Sequence, residues 1–350
     1  MNERLADLPL LPTTLVGSWS QPRWLIDKDD LDSHLPVRVE RHSLWRVDDG
    51  FLDEAHADAT QVAVLEQVRV GFDIVTDGEV RRESYSNRFV NALEGIDHER
   101  PGERVDRTGA LVPVPRVSGP LRRIAAVESD VVAVVRAVTE RPIKITIPGP
   151  FTMTQQAQND HYASEEELAM ALADVVAAEI ADLFAAGADI VQIDEPYLQA
   201  RPEPAADYGV AAIDRAVAGA AGRTALHVCF GYGRHVADKP ARYDFLAELD
   251  RSAVDEISVE AAQPRLDLAV LDELTSKRVE LGVLDLHDPA PEPVATVVDR
   301  IHAALAHVPA DRLVIAPDCG FKYFHRAEAI AKATSMIEAA RIVRRELTGA

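Results

Sequence analysis

Along the chain, short apolar runs alternate with longer stretches whose apolar residues recur every three or four positions. The first period suits strands buried on both faces and the second suits amphipathic helices. Strand candidates are Thr14–Val16, Asp73–Thr76, Ile143–Ile147, Ile190–Ile193, Thr224–Cys229, Glu256–Glu260, Glu280–Leu286 and Leu313–Ala316. Helices are expected over about 52–70, 130–139, 164–186, 211–221, 243–249, 267–274, 293–305 and 326–347. The helix from Ser164 opens on a capping-box pattern, with Glu167 three residues on, and stops at Gly187. Eight strands with intervening helices predict an α/β fold, a (β/α)8 TIM barrel with insertions after the first and second strands. A doubly wound open sheet is the alternative, but no glycine-rich phosphate loop follows the first strand. The alternation in Leu111–Val117 predicts a small hairpin outside the barrel, within an extra segment at about 84–123, and its prolines demote it from a central strand. Residues 1–350 are thus expected to form a single barrel.

Composition narrows the setting. The chain is 47% hydrophobic with 5% aromatic residues, and 37 Lys and Arg stand against 58 Asp and Glu, a net charge of −21. An acidic surface argues against nucleic acid and anionic membranes as partners. No apolar run reaches the roughly 20 residues that a membrane helix needs. The N-terminus has no basic-then-apolar signal segment. The expectation is a soluble cytoplasmic protein; a homo-oligomer is allowed by the sequence but not specified by it.

The polar residues gather at carboxyl ends of the expected strands: Gly17-Ser18, Asp77 to Glu79, Asp194-Glu195, His227 to Cys229, Glu260, Asp285 to His287, and Asp318-Cys319. Barrel active sites are built on that face. His227 and Cys229, two apart on a strand, project together. The only other cysteine is Cys319. These three, with Glu260 as the best-placed carboxylate, make a four-ligand set suited to zinc. Taken alone, His-x-Cys reads first as an ordinary buried strand pair, with Cys319 a core thiol; both cysteines at strand ends, with Glu260 and His287 beside them, turn the reading toward a metal. Ligands drawn from separate strand ends would put the ion at the barrel mouth. Two thiolates and a carboxylate make a poor water activator but a good site for binding a substrate thiol as thiolate. Glu79 and Asp194 could hold an ammonium group while backbone N–H groups near Gly17-Ser18 take a carboxylate, together an amino-acid clamp. Each carboxylate could equally cap a helix or pair with Arg81 or Arg82. His287 could relay a proton with Asp285 orienting it, or simply begin the Asp288-Pro289 turn. Arg23, Arg81, Arg82, Arg88 and Lys322 are candidates for anion contacts.

Eight pieces in order, "TTLVGSW", "DGEVRR", "PGPFTM", "QIDEPYL", "HVCFG", "ISVE", "GVLDLHDP" and "APDCGFK", resemble the catalytic barrel of the cobalamin-independent methionine synthase family. The resemblance implies zinc on His227, Cys229, Glu260 and Cys319. It implies homocysteine on Gly17, Ser18, Glu79 and Asp194, and a proton donor in His287. The implied activity is zinc-dependent transfer of a methyl group to the thiol of homocysteine, forming methionine. The implied donor is 5-methyltetrahydrofolate, a methylated corrinoid protein or another small methyl compound. Two departures stand out. "FTMTQQAQNDHY" lacks the tryptophan of the family's folate site, and Ala261-Ala262-Gln263 follows the ligand glutamate where Thr-Ser-Arg is usual. The additional N-terminal barrel of the full-length plant and bacterial enzymes is not expected. Two alternatives remain: zinc-dependent alkyl transfer to another thiol, as in epoxyalkane:coenzyme M transferases, and a non-catalytic thiol-binding barrel.

Overall fold

The structure is a computed structural model and describes residues 3–33, 37–106, 109–231, 236 and 239–349. Seven parallel strands form one sheet in chain order: β1 (Val75–Thr76), β2 (Ile143–Pro148), β3 (Ile190–Asp194), β4 (Arg223–Val228), β5 (Glu256–Val259), β6 (Arg278–Gly282) and β7 (Leu313–Ala316). Segment 13–18 closes the sheet as the eighth stave. Thr13 bridges Ile315 of β7 and Ser18 bridges Gly78 beyond β1, both in the parallel sense. This is the (β/α)8 arrangement. The expected first strand is therefore a pair of bridges rather than a regular ladder. Pro12 has no N–H to donate, and Leu11 sits at φ 49°, so the chain enters the barrel kinked.

The strand expected over 280–286 begins and ends earlier, at Arg278 and Gly282. Beyond Gly282 the Val283 N–H reaches Ala316 at 2.8 Å, and the Asp285 N–H turns to the Glu292 carboxylate at 2.7 Å. Asp285 and His287 therefore belong to a loop. Helix Glu165–Ala185 is capped by Ser164, whose Oγ accepts the Glu167 N–H at 3.1 Å, and Gly187 follows it at φ 102°. The 267–274 helix is a 3-10 turn, Leu268–Glu273.

After β1 the chain builds two accessory sheets. Gly102–Val105 pairs antiparallel with Leu111–Val114, placing Pro113 opposite Glu103. Arg116–Arg123 does not complete that hairpin. It pairs instead with Leu93–Ile96 and Gln158–Asn159. The turn falls at Pro115, whose carbonyl accepts the Gln158 N–H at 2.9 Å.

Inside the barrel the aliphatic layers give way to polar ones. Lys144, Thr146, Gln192, Ser258 and Glu280 are all buried. Buried polar groups need partners, and these partners lead to the site.

Candidate active site

A pocket opens at the carboxyl ends of the strands. Ser18, Glu79, Asp194, His227, Cys229 and Cys319 line it. Segment 13–18, the turn after β1, and the ends of β3, β4 and β7 thus converge. Tyr85, Pro196, Tyr323 and Phe324 add an apolar rim, and Lys322 a cation.

The Glu79 and Asp194 carboxylates are each held from behind. Thr146 donates to Glu79 Oε1 at 3.1 Å, and the Gln192 amide to Asp194 Oδ1 at 2.8 Å. Gln192 and Asp194 are two apart on β3, which puts them on one face. Glu79 sits at φ 51°, a conformation that costs a non-glycine residue on the order of 1 kcal/mol or more. Lys322 ties that turn down, donating to the Glu79 carbonyl at 3.3 Å and the Arg82 carbonyl at 2.8 Å. Gly17 leaves room for the carboxylate: a Cβ there would lie 2.2 Å from Glu79 Oε1. Burial pushes Asp194 up to about 7, against the pull of the His227 imidazole and with the Glu79 charge adding to the rise.

Beside the clamp, the Cys319 thiol interacts with both Cys229 and His227. The Cys229 sulfur, then burial, push the Cys319 thiol well above its ordinary range. His227 Nδ1 lies 2.9 Å from Ser258 Oγ, while its buried Nε2 has no hydrogen-bond partner. Glu260 lies apart from the pocket lining. Its carboxylate accepts the Phe230 N–H at 3.0 Å and pairs closely with Lys239. Burial still raises it to about 8 against the Lys239 charge. Among the described residues no three His, Cys, Asp or Glu side chains form a closed metal cage. The donor set nevertheless fits a soft or borderline dication. Two thiols and an imidazole with a buried, unpartnered nitrogen meet, and a cation there would reverse the shifts that keep thiol and carboxyl neutral.

The family model described as "Cobalamin-independent synthase, Catalytic domain" matches residues 11–342. The chain belongs to the cobalamin-independent methionine synthase family. It is accordingly a methyltransferase. A methionine synthase of Thermococcus kodakarensis is 33% identical over 343 residues, covering 97% of this chain and 96% of the relative. One from Saccharolobus solfataricus is 31% identical, covering 98% of each. A B12-independent methionine synthase from Shewanella sp. W3-18-1, solved in complex with selenomethionine, superposes with a TM-score of 0.89 at 30% identity, covering 97% of this chain and all of that one.

In this methionine synthase family member three of the expected site residues stay outside the pocket lining. Gly17 lies behind it, against the Glu79 carboxylate. Glu260 is the second, and the third is His287, which is exposed on the loop after β6. The Asp285 carboxylate accepts the His287 backbone N–H at 2.8 Å, so Asp285 shapes the turn rather than orienting the ring. The early end of β6 is the cause. Of the cations considered for anion contacts, only Lys322 lines the pocket. Arg82 is buried against Glu128 at 3.2 Å, Arg81 pairs with Asp130 at 2.5 Å, Arg88 approaches Glu128 at 3.5 Å and Arg23 meets Asp29 at 3.8 Å. Thr146, Ser258, Tyr85 and Lys239 were missed. Ser258 was accessible in principle, being two residues before Glu260 on one strand face; Lys239 lies in a loop that no periodicity marks. Among the described residues no helix is long and apolar enough to cross a membrane.

Proposed function

We propose that this chain methylates the thiol of homocysteine in the pocket at the barrel mouth, using zinc held by His227, Cys229 and Cys319 with Glu260 as the fourth ligand. The observation that carries the reading is the meeting of two thiols and an imidazole beside two carboxylates in one pocket. Zinc, when bound, would lower the pKa of the substrate thiol. Glu79 and Asp194 would take the substrate ammonium, and the Gly17-Ser18 backbone its carboxylate. Thr146 and Gln192 hold the two clamp carboxylates in place, which fixes the direction in which the sulfur faces the donor. The sulfur–methyl bond then forms as the donor's own bond to that methyl breaks, and the donor's leaving group takes up a proton. The apolar rim of Tyr85, Pro196, Tyr323 and Phe324 excludes water around the transferring methyl. His287 is proposed as proton donor to a folate nitrogen only in a donor-bound state in which its loop covers the mouth.

Selenomethionine in the Shewanella relative supports the clamp. It carries the same ammonium and carboxylate groups as methionine, with selenium in place of the methylated sulfur. A sulfonate thiol such as coenzyme M would meet repulsion from Glu79 and Asp194. The test is methionine formation by metal-loaded protein from homocysteine, with 5-methyltetrahydrofolate, a methylated corrinoid protein and small methyl compounds in parallel. No product with any donor rejects the reading.

A further inference from the structure

The hydrogen-bond chain behind His227 determines which ring nitrogen carries the proton. Asp194, His227, Ser258 and Glu280 stand in register on β3, β4, β5 and β6. Residues in register on neighbouring strands share a face. Ser258 Oγ lies 2.9 Å from His227 Nδ1 and 3.2 Å from Glu280 Oε1. From the β2 wall, Lys144 Nζ donates to Glu280 Oε2 at 2.6 Å. His227, Ser258, Glu280 and Lys144 are all buried, none more than 3% exposed.

A hydroxyl has one proton to give, and a carboxylate only accepts. Glu280 accepts at both oxygens, from Ser258 Oγ at 3.2 Å and from Lys144 Nζ at 2.6 Å. Ser258 therefore gives its proton to Glu280 and accepts from His227 Nδ1–H. A neutral imidazole protonated at Nδ1 has its lone pair on Nε2. That is the buried nitrogen without a partner.

We infer that Lys144, Glu280 and Ser258 are positioning residues: a relay that locks His227 as the Nδ1–H tautomer and leaves Nε2 free to ligate the metal. The inference rests on the zinc reading above, but the tautomer itself exists without metal. None of the three lines the pocket, so they act through His227.

The decisive variant is Glu280→Gln. Lys144 will claim the amide oxygen, which turns the amide NH2 toward Ser258. Ser258 must then donate to Nδ1, and the ring proton moves to Nε2. Nitrogen-15 NMR of histidine-labelled, metal-free protein should show His227 as Nδ1–H in wild type and Nε2–H in E280Q. Zinc affinity by chelator competition should fall roughly 10- to 100-fold, the range for loss of a group that orients a metal-bound histidine. In the double variant Lys144→Met/Glu280→Gln the ammonium is gone and the amide oxygen can face Ser258. Both the tautomer and the affinity should recover, which a merely structural role would not produce. Should E280Q fail to fold, Ser258→Ala decides: affinity should drop by about tenfold and the two tautomers should mix. Wild type as Nε2–H, unchanged affinity in E280Q or in S258A, or no rescue in the double variant overturns the relay. Wild type that binds no zinc but keeps Nδ1–H defeats the zinc reading alone.

Discussion

Replacing Gly17 with alanine should damage the amino-acid clamp rather than the fold. The new Cβ would lie 2.2 Å from Glu79 Oε1, 3.0 Å from Thr146 Cγ2 and 3.2 Å from Thr146 Oγ1. An oxygen cannot stay at 2.2 Å from a methyl group, so the carboxylate must move by more than about 1 Å. The backbone of Glu79 cannot follow, because its carbonyl is held by Lys322 and its φ is already 51°. The side chain rotates instead and loses the Thr146 hydrogen bond, at about 1 kcal/mol of stability. The substrate loses more. A charge-assisted hydrogen bond to its ammonium contributes about 1.5–3 kcal/mol. Homocysteine affinity should therefore fall about 10- to 150-fold. Calorimetry on the zinc-loaded proteins, with homocysteine and with 4-mercaptobutanoate in parallel, isolates the contact. The second thiol has no amino group and should bind both proteins alike. Equal losses for the two thiols, or undiminished homocysteine binding, would refute the assignment of Glu79.

Three other outcomes are expected. Asp194, held near 7 when folded against an ordinary 3.8, is neutral in both states below about pH 4. The unfolded chain ionises first as pH rises, so stability falls between about pH 4 and 7 and then levels. Urea denaturation across that range should show a shallower slope in Asp194→Asn; an unchanged slope contradicts the shift. Lys239→Met strips Glu260 of its counter-ion, so the metal-free protein should melt lower while zinc, no longer competing with an ammonium, binds tighter. Weaker zinc binding by chelator competition would show that Lys239 supports the metal-bound state instead. Glu179→Ala removes a buried carboxylate that accepts the Val127 and Glu128 N–H groups and pairs with Arg123 at 2.7 Å. A cost of about 3–5 kcal/mol is expected in urea denaturation, and a loss below 1 kcal/mol would count against that reading.

The barrel was legible because burial on both faces makes parallel strands read as apolar runs, and seven of the eight expected strands are regular. That Glu79, Asp194, His227 and Cys229 would share one pocket was legible because period two puts His227 with Cys229 and fixes which residues end a strand. What was not legible has a physical root. Strand ends are set by where backbone N–H groups find partners: Val283 still reaches Ala316 of β7, but the Asp285 N–H turns away to Glu292. Residue pattern carries no record of that exchange, so His287, expected at a strand end, lies exposed on a loop. Glu260 illustrates a second limit. Its strand position was right, but its partner Lys239 comes from a loop 21 residues back in sequence, and long-range pairing of that kind leaves no periodic trace.

Most of the shifts at the site run toward neutrality, His227 excepted, where, against burial, Cys319 and Asp194 favour the charged ring. Burial raises Asp194 to about 7 and Glu260 to about 8, and it lowers Lys322 to about 8. Acids and base alike are driven toward neutrality, so desolvation outweighs their mutual attraction. A pocket of this kind gains most from ligands that bring positive charge in with them. On the proposed reading, the ammonium of an amino acid would do so at Glu79 and Asp194, and a dication at the sulfurs. Each makes the neighbouring anions easier to keep ionised. The two sites border one pocket and share His227 and Asp194 as neighbours, so filling one should strengthen the other, and by linkage the effect is reciprocal. Zinc should thus raise the affinity for homocysteine through its amino end as well as through its thiol. Methionine separates the two contributions. Its sulfur is already methylated and has no proton to lose, so any zinc-dependent gain in methionine affinity measures the coupling through the clamp.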